Sequence, residues 1–153
     1  AINSASPPHH FLSVRKQGRS AIFQTAGNED CHIILRGGKQ PNYDMFSVED
    51  AERMLSSAGL PARIMIDASH ANSRKLPARQ VDVTRDIATQ IGRGNHSIVG
   101  LMLESNLEEG RQNVVAGQPL NYGQSITDAC MGWENTAHLL QELAVAARMR
   151  RSG

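Results

Sequence analysis

Hydrophobic and polar positions along this chain form blocks that predict strands followed by helices. Four short apolar runs end abruptly at polar or ionisable residues, as expected for strands that are buried on both faces of a parallel sheet. We predict these strands at residues 31–35, 63–68, 97–103 and 125–129.

Helical periodicity fills two of the gaps between these strands and follows the last one. We predict helices at 48–57, 78–91 and 135–149. Ser47 is the expected N-cap of the first helix, with Glu49 and Asp50 in its first turn. The expected apolar stripes of the second and third helices are Val81, Ile87, Ala88 and Ile91, then Leu139, Leu140, Leu143 and Ala147.

An antiparallel β-hairpin is predicted before the first of these strands. Its strands are residues 9–14 and 20–25, and Gly18 lies in the turn between them. The hairpin and a preceding helix end would form a first domain at 1–29, and four βα units would form a second at 30–153. Alternating βα units imply an α/β fold with a parallel sheet. A complete (β/α)8 barrel needs about 250 residues, so the chain fits half a barrel or a small open sheet.

Each predicted parallel strand delivers one ionisable residue at its carboxyl end. These residues are Arg36, His70, Glu104 and Asp128. One histidine with two carboxylates suits Mn²⁺, Fe²⁺, Co²⁺ or Zn²⁺. Arg36 beside Gly37 and Gly38 could hold a phosphate or a carboxylate. On the residues alone, an ordinary surface or core histidine at position 70 and a solvated loop arginine at position 36 stay open.

Composition removes several classes of function. The formal net charge is only +1 and aromatic residues make up 4% of the chain, so nucleic-acid binding is not expected. No apolar run approaches the length of a membrane span, and no signal peptide opens the chain. We therefore expect a cytoplasmic protein that does not bind membranes, with Cys31 and Cys130 as buried free thiols. The absence of an initiator Met at Ala1 suggests a processed or truncated product.

Four longer motifs carry a resemblance to a known family. They are LRGGKQPNY at 35–43, IDASHANS at 66–73, LESNLEEGRQ at 103–112 and YGQSITDACMGWE at 122–134. In order and spacing these motifs resemble type I 3-deoxy-D-arabino-heptulosonate-7-phosphate (DAHP) synthase. The resemblance extends over nearly the whole chain.

The resemblance implies a (β/α)8 TIM barrel and a divalent metal cofactor. Members of the family condense phosphoenolpyruvate with erythrose 4-phosphate, the first step of the shikimate pathway. The resemblance assigns metal ligation to His70, Glu104 and Asp128, and catalysis and substrate binding to Arg36 and His70, with Arg36 on the phosphate of phosphoenolpyruvate. Within the hairpin, it places Phe11 and Ser13 at positions that contact an aromatic amino acid acting as feedback inhibitor.

The chain departs from the family in length. Family members are more than twice as long, and their cysteine metal ligand and most substrate-binding cations lie in the N-terminal half. Cys31 and Cys130 do not match that ligand. The expectation is therefore the C-terminal half of the synthase, inactive when isolated and prone to form a homo-oligomer. Two alternatives stay open: a folded fragment that assembles without function, and a metal-dependent hydrolase or lyase on a half barrel.

Overall fold

The structure of the protein, a computed structural model, describes residues 1–152. The chain folds as two compact units, one from Ala1 to Ile33 and the other from Ile34 onward. The first unit contains a short helix, α1 (Ile2–Ala5), and an antiparallel hairpin of β1 (His9–Val14) and β2 (Ser20–Thr25). The predicted hairpin is confirmed. Phe11 stacks on its cross-strand partner Phe23 with ring centroids 5.9 Å apart.

The second unit is an α/β arrangement around a three-stranded sheet, which confirms the predicted α/β class. The elements that follow the hairpin along the chain are β3 (Ile33–Leu35), α2 (Met45–Ser57), β4 (Ile64–Asp67), α3 (Arg79–Gly92), β5 (Ile98–Met102) and α4 (Trp133–Ser152). The strand order is β3-β4-β5, and β4 pairs with β5 in parallel. Within residues 1–152, no helix is both long and apolar enough to cross a membrane.

The prediction of a fourth parallel strand at 125–129 is wrong. This segment is irregular and makes only isolated bridges. The backbone bonds at its start and just beyond its end go to the long loop before it. The N–H of Gln112 donates to the carbonyl of Ser125 (2.8 Å), and Gly110 and Cys130 exchange two hydrogen bonds. The segment therefore pairs with the loop and does not extend the sheet.

The start of α2 also differs from the prediction. Asp44, not Ser47, is the N-cap, and its carboxylate accepts hydrogen bonds from the N–H groups of Phe46 and Ser47, each 3.1 Å. Burial would raise the pKa of Asp44, but the bonds from the Ser47 hydroxyl and these N–H groups outweigh it and hold that pKa below its usual value. Because the helix begins earlier than predicted, Glu49 and Asp50 lie beyond its first turn.

The predicted apolar stripes are partly wrong, since the buried faces point in a somewhat different direction and include polar residues. In α4, Leu139 is 1% exposed but Leu140 is 48% exposed. The buried residues Thr136, Leu139 and Ala146 lie on one face, and Leu140 is turned about 100° away from Leu139. In α3, which packs against α4, the buried residues are Gln80, Val83, Thr84, Ile87, Gln90 and Ile91.

A buried asparagine ties the ends of β3 and β4 together. Asn72 is 3% exposed, and its amide nitrogen donates to the carbonyl oxygens of Leu35 (3.1 Å) and Asp67 (2.7 Å). Its amide oxygen accepts from the N–H of Asn42 (2.8 Å), whose own side chain accepts from the N–H of Gly37 (2.7 Å). These bonds fix the loop after β3 against the loop after β4.

The same contact leaves no room for a side chain at Gly37. Its φ is +75°, and an added Cβ would lie 2.7 Å from the Cβ of Ala71. At the neighbouring Gly38, an added Cβ meets nothing within 4 Å.

We therefore expect Gly37→Ala to lower the free energy of unfolding by at least about 1–2 kcal/mol, the usual penalty for an L-residue in the left-handed region. Gly38→Ala is the matched control and should change stability little. Urea unfolding of both variants measures the difference. Equal stability of the two variants would contradict the close approach seen between the loops.

Candidate metal centre

Three side chains from separate segments of the second unit converge. His70 follows β4, Glu104 follows β5, and Asp128 lies in the irregular segment before α4. Each offers one ligand atom, and these atoms all lie within 4.8 Å of one another. His70 and Glu104 are half-buried, while Asp128 is exposed. An imidazole with two carboxylates is a donor set that fits a divalent first-row metal ion.

The imidazole of His70 is held from one side. Its Nδ1 lies 2.7 Å from Oδ2 of Asp67, which is 2% exposed, and its Nε2 lies 3.6 Å from Oε1 of Glu104. Asp67 is fixed in turn by the N–H of Ser69 (2.8 Å). A carboxylate at Nδ1 favours the tautomer that carries its proton there. Nε2, on the side of Glu104, is then the nitrogen without a proton.

The backbone of His70 has an uncommon conformation. Its φ is +50°, and its carbonyl oxygen accepts a hydrogen bond from the N–H of Lys75 (2.7 Å). Non-glycine residues in this region are infrequent and cluster where a side chain must be aimed for function. The left-handed turn thus brings the imidazole back over the end of β4.

The electrostatic environment of Glu104 favours a cation. Burial raises the pKa of Glu104 above its usual value; the nearby His70 opposes this, Asp128 and Asp67 add to it, and Arg36 also opposes it. Several carboxylates thus compete for limited positive charge, and a bound divalent cation would relieve their repulsion.

Asp128 is placed by its anchored neighbours. Met131, three residues later, is 1% exposed, and its N–H donates to the carbonyl oxygen of Glu104 (3.0 Å).

Cys130 is half-buried and free. Burial raises the pKa of its thiol, and the charges of Glu104 and Asp128 add to the effect. A hydrogen bond involving Ser125 opposes this rise in pKa.

Of the other predicted site residues, only Arg36 belongs to the same unit as this cluster. Arg36 is exposed directly after β3, and its charge acts on Glu104. Phe11 and Ser13 lie on β1, within the first unit.

Sequence analysis assigned no role to two of the residues that organise the centre. Asp67 orients His70, and Asn72 joins the loops that carry Arg36 and His70. A signal for Asp67 was present, because an acidic residue at the end of a buried strand, three positions before a histidine, is expected to need a partner. The signal for Asn72 was weaker, since an asparagine in a loop usually reads as a turn residue.

Comparison with known proteins agrees with this geometry. The pattern of the DAHP synthetase I family matches residues 1–141. The Phe-sensitive phospho-2-dehydro-3-deoxyheptonate aldolase of Escherichia coli K12 is 56% identical over 151 residues, which cover 99% of this chain and 43% of that protein. The tyrosine-inhibited enzyme of Schizosaccharomyces pombe is 51% identical over 156 residues, covering 99% of this chain and 42% of that protein.

A solved structure gives the same result. The phospho-2-dehydro-3-deoxyheptonate aldolase of Francisella tularensis SCHU S4 superposes with a TM-score of 0.87 at 46% identity, over 98% of this chain and 44% of that one. The chain thus spans less than half the length of the relatives that it matches. With the match covering nearly all of its residues, the chain belongs to the DAHP synthetase I family.

Proposed function

We propose that this chain supplies part of the active site of a DAHP synthase, which condenses phosphoenolpyruvate with erythrose 4-phosphate and releases phosphate. The observation that carries the proposal is the convergence of His70, Glu104 and Asp128 in a member of this family. The relatives' names describe an aldolase that acts on a phosphorylated keto acid. Family membership favours this synthase over the metal-dependent hydrolase or lyase that the residues alone left open.

His70, Glu104 and Asp128 are proposed to hold a divalent metal, either Mn²⁺, Fe²⁺, Co²⁺ or Zn²⁺. When bound, the ion supplies Lewis acidity toward the aldehyde carbonyl of erythrose 4-phosphate. Asp67 keeps the proton of His70 on Nδ1, so that Nε2 remains free as a donor atom. The left-handed turn at His70 keeps the ring in that direction.

Arg36 is proposed to bind the phosphate of phosphoenolpyruvate. A guanidinium group offers two parallel N–H donors to a phosphate, and the exposed position of Arg36 leaves them accessible. His70 would border the same substrate. Held in this way, the enol carbon can attack the aldehyde carbon, water adds to the resulting cationic centre, and phosphate leaves by cleavage of its C–O bond.

The second unit is proposed to be the C-terminal half of a (β/α)8 barrel. Two observations support this: the chain spans about 43% of its relative, and β3 and β5 are the outer strands of the three-stranded sheet. Outer strands carry backbone groups that can pair with further strands. The remaining barrel strands, and a homo-oligomeric assembly, would cover them.

The hairpin is proposed to take part in feedback inhibition by an aromatic amino acid. Relatives are named Phe-sensitive, Trp-sensitive and tyrosine-inhibited. Phe11 offers an aromatic face that is already stacked on Phe23, and Ser13 offers a hydroxyl beside it on the same face of β1.

A second candidate is that the 153 residues, when isolated, fold without catalysing the reaction. The share of the relatives that the chain spans favours it, because each missing electrostatic contact lowers the rate by about a hundredfold or more. Assaying the chain alone with both substrates and Mn²⁺, then with the N-terminal half of a relative added, separates the two. Turnover by the chain alone would rule out the second candidate.

Glu104→Gln in the complete protein that carries these residues should abolish metal-dependent turnover. A neutral amide is a weaker ligand than a carboxylate, so we expect metal affinity to fall by more than the 10- to 100-fold typical of losing a residue that only orients a ligand. Isothermal titration with Mn²⁺ and a phosphate-release assay measure the two effects. Glu108→Gln, an exposed neighbour, is the control. Full phosphate release by the Glu104→Gln variant after its metal has been removed by a chelator would refute the proposal.

Ser13→Phe should relieve inhibition by aromatic amino acids while leaving turnover near its original level. The added ring would fill the space beside Phe11 that the inhibitor is proposed to occupy. Ser20→Phe is the matched control, because Ser20 pairs with Val14 and therefore lies on the opposite face of the hairpin. Inhibition curves with each aromatic amino acid provide the measurement. Unchanged inhibition of Ser13→Phe would remove Ser13 from the effector site.

A further inference from the structure

A buried glutamine on α3 is bonded to the backbone of Glu104. Gln80 is 1% exposed and is the second residue of the helix. Its Oε1 accepts from the N–H of Glu104 (2.9 Å), and its Nε2 donates to the carbonyl oxygen of the same residue (3.2 Å). One side-chain amide therefore satisfies both backbone groups of Glu104, as a neighbouring strand would.

The bonds occur where the sheet no longer provides a partner. β5 ends at Met102, two residues before Glu104. The carbonyl oxygen of Glu104 also accepts from the N–H of Met131, which follows Asp128 by three residues. The peptide of Glu104 is thus the junction between α3, the end of β5 and the segment that carries Asp128.

We propose that Gln80 is a positioning residue for the metal centre. By fixing the backbone of Glu104 it sets the direction in which the carboxylate leaves the chain, and its own bonds use neither carboxylate oxygen. This inference rests on the metal site proposed above. Without the amide, the N–H of Glu104 loses its hydrogen bond. The backbone of Glu104, whose carbonyl accepts from the N–H of Met131, can then shift.

The helix offers a matched control for a purely structural role. Gln90 is also buried on α3, at 8% exposed, and its Nε2 donates to the carbonyl of Tyr43 (2.8 Å) and the carboxylate of Asp86 (2.7 Å). None of its hydrogen bonds reaches His70, Glu104 or Asp128. Replacing either glutamine with Met removes a buried amide of similar size from the same helix.

The experiment measures metal binding in the complete protein that carries these residues. Gln80→Met should weaken Mn²⁺ binding by about tenfold, the lower end of the range for residues that orient a ligand. It should also change the visible absorption of the Co²⁺-loaded protein, because the ligand geometry changes. Gln90→Met should lower thermal stability to a similar degree and leave both metal readouts unchanged. In a Glu104→Gln background, Gln80→Met should have no further effect on affinity.

Each outcome separates the inference from the proposed function. If Glu104→Gln binds metal as tightly as the original protein, the metal site itself is wrong. If Glu104→Gln weakens binding but Gln80→Met does not, or if Gln90→Met weakens it equally, only the role of Gln80 is overturned. Should Gln80→Met fail to fold, Gln80→Glu keeps the volume and one acceptor oxygen but sets a carboxylate against the Glu104 carbonyl. Weaker binding is expected there too, and unchanged affinity would overturn the inference.

Discussion

The parallel pairing of β4 with β5 is the constraint on which the candidate metal centre depends. The register sets Asp67 beside Met102, and the N–H of Ala68 donates to the carbonyl of Met102 (2.9 Å). Both strands therefore end at the same edge of the sheet. His70 and Glu104 each follow within three residues, too short a distance for their backbones to separate far. Slipping the register by one residue would turn every side chain of a strand to the opposite face and separate His70 from Glu104.

Beyond this edge, buried side-chain amides replace the missing sheet partners. Asn72 satisfies two carbonyl groups at the ends of β3 and β4, and Gln80 satisfies the backbone of Glu104. A buried backbone group without a partner destabilises the folded state by about 1–3 kcal/mol. Amides suit the task because they donate and accept at once without adding charge. The loops can thus be rigid next to a cluster of ionised groups.

Sequence alone could predict the elements whose periodicity is strong, and it failed where local contacts compete. The hairpin was predicted with both strands in place, and β4, β5 and α3 within one or two residues of their ends. The prediction of a strand at 125–129 was wrong, because periodicity cannot show that the loop before it bonds to Ser125 and Cys130. In α4, hydrophobicity alone places Leu140 on the buried face, but the structure buries the polar Thr136 and exposes Leu140. The convergence of His70, Glu104 and Asp128 was predicted from strand ends, although Asp128 arrives from a loop.

The supporting bonds leave free the atoms that the proposed metal site requires. Asp67 engages Nδ1 of His70, and Gln80 engages only the backbone of Glu104. In both residues the atoms that face the centre remain without a competing strong donor. Carboxylates so close together repel one another, which raises the pKa of Glu104 further beyond the effect of burial. The repulsion would spread the side chains apart if the backbone could move. The bonds from Gln80 to the backbone of Glu104 keep the anionic groups together. Their electrostatic repulsion then increases the affinity of the proposed site for a cation.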